Sequence, residues 1–167
     1  MGDMLYFAYG SNMHTGRLQR RVPSASKFKD ASLPGYSLVF HKKSVDGSAK
    51  CNIVCHQVSI VYGVIFIIDE KDKPALDRAE GKGYKDTMIE IYPDKKPVKA
   101  FTYQALESYI DNSLSPYKWY KALVMEGADE HKLPESYLEK IKKVNSITDP
   151  DQKRRNNAFS ILGIDNL

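Results

Sequence analysis

No run in this chain of 167 residues approaches the ~20 apolar residues of a membrane span. The opening Met1-Gly2-Asp3 passes straight into a strand-like segment without a charged-then-apolar leader, so the expected setting is the cytoplasm, with no membrane contact. Cysteine is scarce: only Cys51 and Cys55 are present among the 167 residues, and a chain of this length needs no staple, so both read as reduced thiols. With His56 they spell Cys-x-x-x-Cys-His, yet a structural zinc site takes four ligands, no second clustered pair follows, and His14, His41 and His131 stand far apart. No metal is expected. Neither sign of charge dominates, with 25 Lys and Arg against 21 Asp and Glu. Apart from the short runs Gln19-Arg20-Arg21 and Lys153-Arg154-Arg155 the cations are scattered, which reads as a solvated surface and not as a nucleic-acid stripe. A Gly-x-Ser-x-Gly elbow is also missing, which makes Ser11 a weak candidate for a nucleophile. Internal repeats and low-complexity segments are lacking.

What is there suits one domain. At 42% hydrophobic and 11% aromatic residues the chain can bury a core of its own. Met4 to Tyr9 is aromatic-rich, too short for a helix, and ends at the turn formers Gly10-Ser11-Asn12, so it reads as a buried strand entering a tight loop. His14 to Arg21 forms one or two helical turns, stopped before Pro23. Leu33-Pro34-Gly35 is a turn signal between Ser26–Ser32 and a strand over Tyr36–His41, and a short strand at Cys51–Val54 follows the exposed loop Ser44–Ser48. Val61 to Ile68 is a nearly continuous apolar run, the pattern of a strand buried on both faces, and Asp72–Glu80 then reads as a helix closed by Gly81. Lys85–Tyr92 and Val98–Gln104 bracket a hairpin connection and are expected to pair antiparallel. Helical spacing returns at Tyr117, Tyr120, Leu123 and Val124 and again at Tyr137, Leu138 and Ile141. Asp149-Pro150 looks like an N-cap and first-turn proline for a short basic helix in a tail that is helical or only partly ordered. These elements predict an α+β fold: a small mixed, mostly antiparallel sheet, barrel-like in its curvature, with α-helices around it. The domain is expected over residues 1–147, with the tail over 148–167.

Three places can carry chemistry. Glycine at position 10 permits a sharp turn whose successive N–H groups can converge on an anion or a polarised carbonyl, although Gly-Ser-Asn also makes ordinary strand-ending turns. Glu80 stands four residues after Leu76, so a core-facing Leu76 sets Glu80 at a desolvated edge. It also sits in the last helical turn, where the macrodipole disfavours an anion, and such local conflicts tend to mark functional sites. The other reading of Glu80 is a solvent-facing carboxylate paired with Lys82 or Lys85. Tyr120 falls on the inner face of its helix, where it either packs or orients a ligand, while Tyr117 and Trp119 read as surface or rim aromatics.

The sequence resembles the γ-glutamylcyclotransferase family at these residues. The likeness is carried by Tyr6-Phe7-Ala8-Tyr9-Gly10-Ser11-Asn12-Met13, then Leu76-Asp77-Arg78-Ala79-Glu80-Gly81, then Ser115-Pro116 followed by Tyr120 and Glu126-Gly127-Ala128. Leu133-Pro134 matches the family's glycine-leucine-proline step with Lys132 in the glycine's place, so the likeness spans roughly Leu5 to Ile141. The resemblance implies an amine-releasing cyclisation of a γ-glutamyl group to 5-oxoproline without a cofactor. It places the glutamate acid/base at Glu80 and the substrate loop at Tyr6 to Asn12, that is Tyr6, Phe7, Ala8, Tyr9, Gly10, Ser11 and Asn12. A substrate-contacting tyrosine falls at Tyr120, with Tyr117 competing for the role. The implied partner is a small γ-glutamyl molecule, and the implied state is monomer or homodimer.

Overall fold

The alternation of Leu5-Tyr6-Phe7-Ala8 makes a strand with apolar groups on both faces, and such a strand is stable only inside a sheet. In the computed structural model, which describes residues 2–163, this segment is the central strand β1 (Asp3–Ala8). On one side it pairs antiparallel with β3 (Ala49–Asp69), from Asp3 opposite Asp69 to Ala8 opposite Val64. On the other side it pairs in parallel with β5 (Val98–Ala105), Tyr6 lying opposite Phe101. β2 (Ser26–Lys43) and β4 (Tyr84–Ile91) pair antiparallel with β3 and β5, giving the order β2-β3-β1-β5-β4. The fold is α+β on a mixed, mostly antiparallel sheet. It does not close into a barrel: among the described residues, backbone pairing between the two edges is confined to Ser32 and Tyr92, which exchange hydrogen bonds of 2.9 and 2.8 Å.

Two strands are longer than expected. β2 continues through Leu33-Pro34-Gly35, where a turn was predicted, and the β3 segment includes both Cys51–Val54 and Val61–Ile68. The glycine does kink the chain, at φ +80, but the ladder resumes beyond it, jumping from Pro34 opposite Ile60 to Tyr36 opposite Cys55. The result is a bulge within one long hairpin in place of a turn between strands.

The helices are α1 (Thr15–Arg21), α2 (Lys73–Glu80), α3 (Lys118–Glu130), α4 (Glu135–Lys142) and α5 (Gln152–Leu162). A 3₁₀ turn, Ser11–Met13, links β1 to α1. α3 buries Trp119, Tyr120, Leu123, Val124, Gly127 and Ala128. Trp119 and Tyr117 are therefore core residues and not rim aromatics, because the C-terminal segment covers them: Trp119 Nε1 donates to buried Asp149 at 2.8 Å, and Arg154 grips the same carboxylate with two bonds of 2.6 Å. That grip occupies Asp149, so the cap of α5 falls to Asp151, whose side chain accepts from Arg154 N. Residues 164–167 of the expected tail lie outside the described residues. Among those described, no helix is long and apolar enough to cross a membrane.

Candidate active site

β1 ends at Ala8, and the chain turns through Tyr9 and Gly10 into the 3₁₀ turn, whose closing bond runs from Met13 N–H to Gly10 C=O at 3.0 Å. The first turn of any helix leaves N–H groups without intrahelical acceptors. Those of Ser11 and Asn12, with Gly10 before them, find no backbone acceptor among the described residues, although Ser11 and Asn12 are both buried. α3 presses on this turn from behind. Gly127 leaves room for it, since a Cβ there would stand 2.5 Å from His14 N and 2.8 Å from Met13 C.

The loop opens onto a small pocket lined by Tyr6, Tyr9, Gly10, Ser11, Asn12, Glu80 and Tyr120, together with Cys51, Tyr84 and Tyr103. Of the residues singled out in the sequence, Phe7 and Ala8 do not line it. Alternation in β1 turns Phe7 to the opposite face, towards Gly63, and Ala8 is buried by its pairing with β3. A larger groove runs between α3 and α4, but its charged residues, Glu126, Asp129, Lys132, Glu135, Glu139 and Lys142, are all exposed to solvent, unlike the buried Tyr6, Ser11, Asn12 and Tyr120 of the first pocket.

Glu80 reaches the pocket because Leu76, one turn earlier, is fully buried and fixes that face of α2 inward, while Gly81 at φ +72 ends the helix directly after it. Its partners are neither Lys82 nor Lys85. Asn12 Nδ2 donates to Glu80 Oε1 at 2.6 Å, and Arg21 Nη1 lies 3.6 Å from the same oxygen. Asn12 Nδ2 also donates to Tyr6 Oη at 3.1 Å, and Asn12 Oδ1 accepts from Arg21 Nη1 at 3.0 Å.

Aromatic side chains form the remaining wall. Cys51 N–H donates to Tyr120 Oη at 3.1 Å, so the tyrosine accepts there and keeps its own O–H for donation. Tyr117, the competing tyrosine, donates to Asp46 C=O at 2.7 Å, away from the pocket. Tyr84 donates to Cys51 C=O and Tyr103 to Asp77 Oδ1, both at 2.5 Å, and Tyr9 donates to Tyr103 C=O. Burial raises the phenol pKa of Tyr6, Tyr9, Tyr84, Tyr103 and Tyr120 above the ordinary value of 10, with the Glu80 charge adding to it in each case, so these hydroxyls stay neutral donors. The Cys51 thiol is likewise pushed up to about 12 by burial, which removes it as a thiolate nucleophile near neutral pH. Arg17, one turn before Arg21, is lowered to about 10 by burial and by the charge of Arg21, and its Nε is buried without a hydrogen-bond partner.

Arg21, Tyr84, Tyr103 and Cys51 are the site residues that the sequence reading passed over. Cys51 was read only as a reduced thiol in a short strand, and Arg21 stood in the run Gln19-Arg20-Arg21, where nothing distinguishes it from its exposed neighbours.

Comparison with known proteins agrees with this geometry. Residues 60–141 match the model of the AIG2-like family. The bovine protein named γ-glutamylcyclotransferase is 32% identical over 157 residues, covering 90% of this chain and 82% of that one. Its human counterpart is 32% identical over 148 residues, covering 85% and 79%. The solved structure of a γ-glutamyl cyclotransferase superposes with a TM-score of 0.85 at 25% identity, covering 95% of this chain and 99% of the other. Identity of this degree over most of both sequences places the chain in the γ-glutamylcyclotransferase family.

Proposed function

We propose that the protein converts a γ-glutamyl compound into 5-oxoproline and a free amine or amino acid, with Glu80 as the acid/base. The observation that carries this reading is one pocket in which a carboxylate lies beside a turn whose buried residues Ser11 and Asn12 leave their N–H groups without an acceptor among the described residues, walled by neutral tyrosine hydroxyls. Cyclisation of a γ-glutamyl group needs a proton carrier, donors for a developing oxyanion, and a surface that folds the substrate on itself.

The steps balance as follows. Glu80 takes a proton from the α-ammonium, and the freed amine attacks the γ-carbonyl carbon, whose oxygen becomes an oxyanion held by the N–H groups of the Gly10-Ser11-Asn12 turn. Glu80 returns its proton to the scissile nitrogen as the C–N bond breaks. It then removes the remaining extra proton from the ring nitrogen and passes it to the departing amine. Two protons thus travel from the attacking to the leaving nitrogen, and Glu80 ends as it began. Asn12 Nδ2 bonds Oε1, which leaves Oε2 to face the substrate. Tyr120, whose hydroxyl lines the same pocket and accepts from Cys51 N–H, supplies an O–H to the substrate. Attack is intramolecular, so holding the chain in its closing conformation supplies much of the acceleration.

The reading is tested by offering a γ-glutamyl amino acid, glutathione and a γ-glutamyl amine in turn and assaying 5-oxoproline. Release from at least one of them, without added metal or cofactor, supports it. A folded protein that produces 5-oxoproline from none of the three contradicts it.

A further inference from the structure

We propose that Arg21 is a positioning residue for the reaction: it locks the side-chain amide of Asn12 in the one orientation that presents an N–H to Glu80, and so aims the carboxylate into the pocket. The inference rests on Glu80 as the proton carrier. Its basis is a three-membered relay, Arg21 Nη1 to Asn12 Oδ1 at 3.0 Å and Asn12 Nδ2 to Glu80 Oε1 at 2.6 Å.

A primary amide has an accepting end and a donating end, and a guanidinium only donates. With Arg21 on one side and a carboxylate on the other, a single amide orientation satisfies both. Reversed, the NH₂ would face the guanidinium and the carbonyl oxygen would face the carboxylate. The second N–H of Asn12 is also engaged, by Tyr6 Oη at 3.1 Å, so both amide protons are committed within the protein. Asn12 therefore serves Glu80 through its side chain, and its backbone N–H is the group free to meet substrate. Arg21 itself stands outside the pocket lining, with its side chain 25% exposed, and acts through its neighbours.

The sequence accounts for how the relay is built. The short α1 starts three residues after Asn12 and carries Arg21 at its last position, against the end of α2 that presents Glu80. Its neighbour Arg20 is exposed.

The test is a double-mutant cycle in a steady-state 5-oxoproline assay, using Arg21→Gln, Asn12→Ala, the double variant and Arg21→Lys, each confirmed folded by circular dichroism and thermal melting. A misaimed reacting group costs up to ~10²-fold, so each single variant is expected to lose about 10–100-fold in kcat, with KM changed by less than about threefold. The double variant should fall by clearly less than the product of the two single losses, because the relay through the amide is gone and Arg21 keeps only its longer, 3.6 Å contact with Glu80 Oε1. Arg21→Lys, which keeps a cationic donor, should recover part of kcat. Multiplying losses in the double variant, or an effect confined to KM, would overturn the inference. Glu80→Gln is assayed alongside: if it is active, the reading of Glu80 fails, whereas if it is inactive while Arg21→Gln keeps full kcat, only the role of Arg21 fails.

Discussion

Gly127 is the point where α3 lies hardest against the turn that follows β1, and replacing it with alanine sets two effects against each other. In a helix interior Gly→Ala gains ~1 kcal/mol of helix propensity. Against this, the new Cβ would stand 2.5 Å from His14 N, 2.8 Å from Met13 C and 2.8 Å from Met13 Cβ. Two of those three atoms are backbone, so no rotamer change relieves the overlap. The turn must move, and overpacking of this kind costs ~1–3 kcal/mol, with the upper half apt where backbone meets backbone. The clash wins by about 1–2 kcal/mol, which for a chain of this size lowers Tm by roughly 2–8 °C. Because the segment displaced is the turn that carries Ser11 and Asn12, kcat should also fall by ~10-fold or more even below the melting range, where the variant is folded. Calorimetry together with a 5-oxoproline assay at 20–25 °C, about the usual laboratory range, reads both. A Gly127→Ala protein with a raised Tm and full turnover would refute the argument, since the helix gain would then have prevailed and the close approach would be irrelevant to the site.

Three further outcomes follow from particular residues. Lys132 holds φ +52 after α3, with Leu133 N–H bonding back to Ala128 C=O, the position where a helix end favours glycine; Lys132→Gly is expected to stabilise by ~0.5–1 kcal/mol in urea unfolding, and a loss of stability would contradict this. Burial raises the Asp149 carboxyl, but its bonds from Arg154, Asp151 N–H and Trp119 outweigh this and hold it at about 2 against the ordinary 3.8. Its stabilisation, about 2 kcal/mol, is then present above pH ~4 and lost as the pH falls through ~2; the stability gap between wild type and Asp149→Asn should close over that window, and a constant gap would count against the bonds as its source. Tyr120→Phe should weaken substrate turnover more than Tyr117→Phe, because only the first hydroxyl reaches the pocket, and the opposite ranking in kcat/KM would show that the wrong tyrosine had been placed there.

Much of this was legible in the chain because the signals are local. Gly10-Ser11-Asn12 ends a strand whatever surrounds it, Gly81 terminates α2 by its own backbone freedom, and the Leu76–Glu80 spacing sets the carboxylate at the edge of the core. The β4–β5 hairpin has the same local character. What escaped depends on contacts between distant segments. Leu33-Pro34-Gly35 carries turn chemistry, yet the facing β3 strand holds both halves of β2 in one ladder and reduces the signal to a bulge. Tyr117 and Trp119 became core residues only because Asp149 and Arg154 close over them. Arg21 sat in a run that reads as solvated surface, and its role exists only because α2 delivers Glu80 beside it. Tyr84 and Tyr103 enter the pocket through the β4–β5 pairing, which periodicity predicts, but which face they take depends on where β5 meets β1.

The most direct test of the account is the turnover of Glu80→Gln. Glutamine keeps the shape of the side chain and can still accept from Asn12, so the protein should fold and melt like wild type, while losing the one group that carries protons between the two nitrogens. The account predicts a drop of ~10²–10⁴-fold in kcat for 5-oxoproline release, the range typical of general acid–base catalysis. A Glu80→Gln protein that is folded and turns over at the wild-type rate would contradict it.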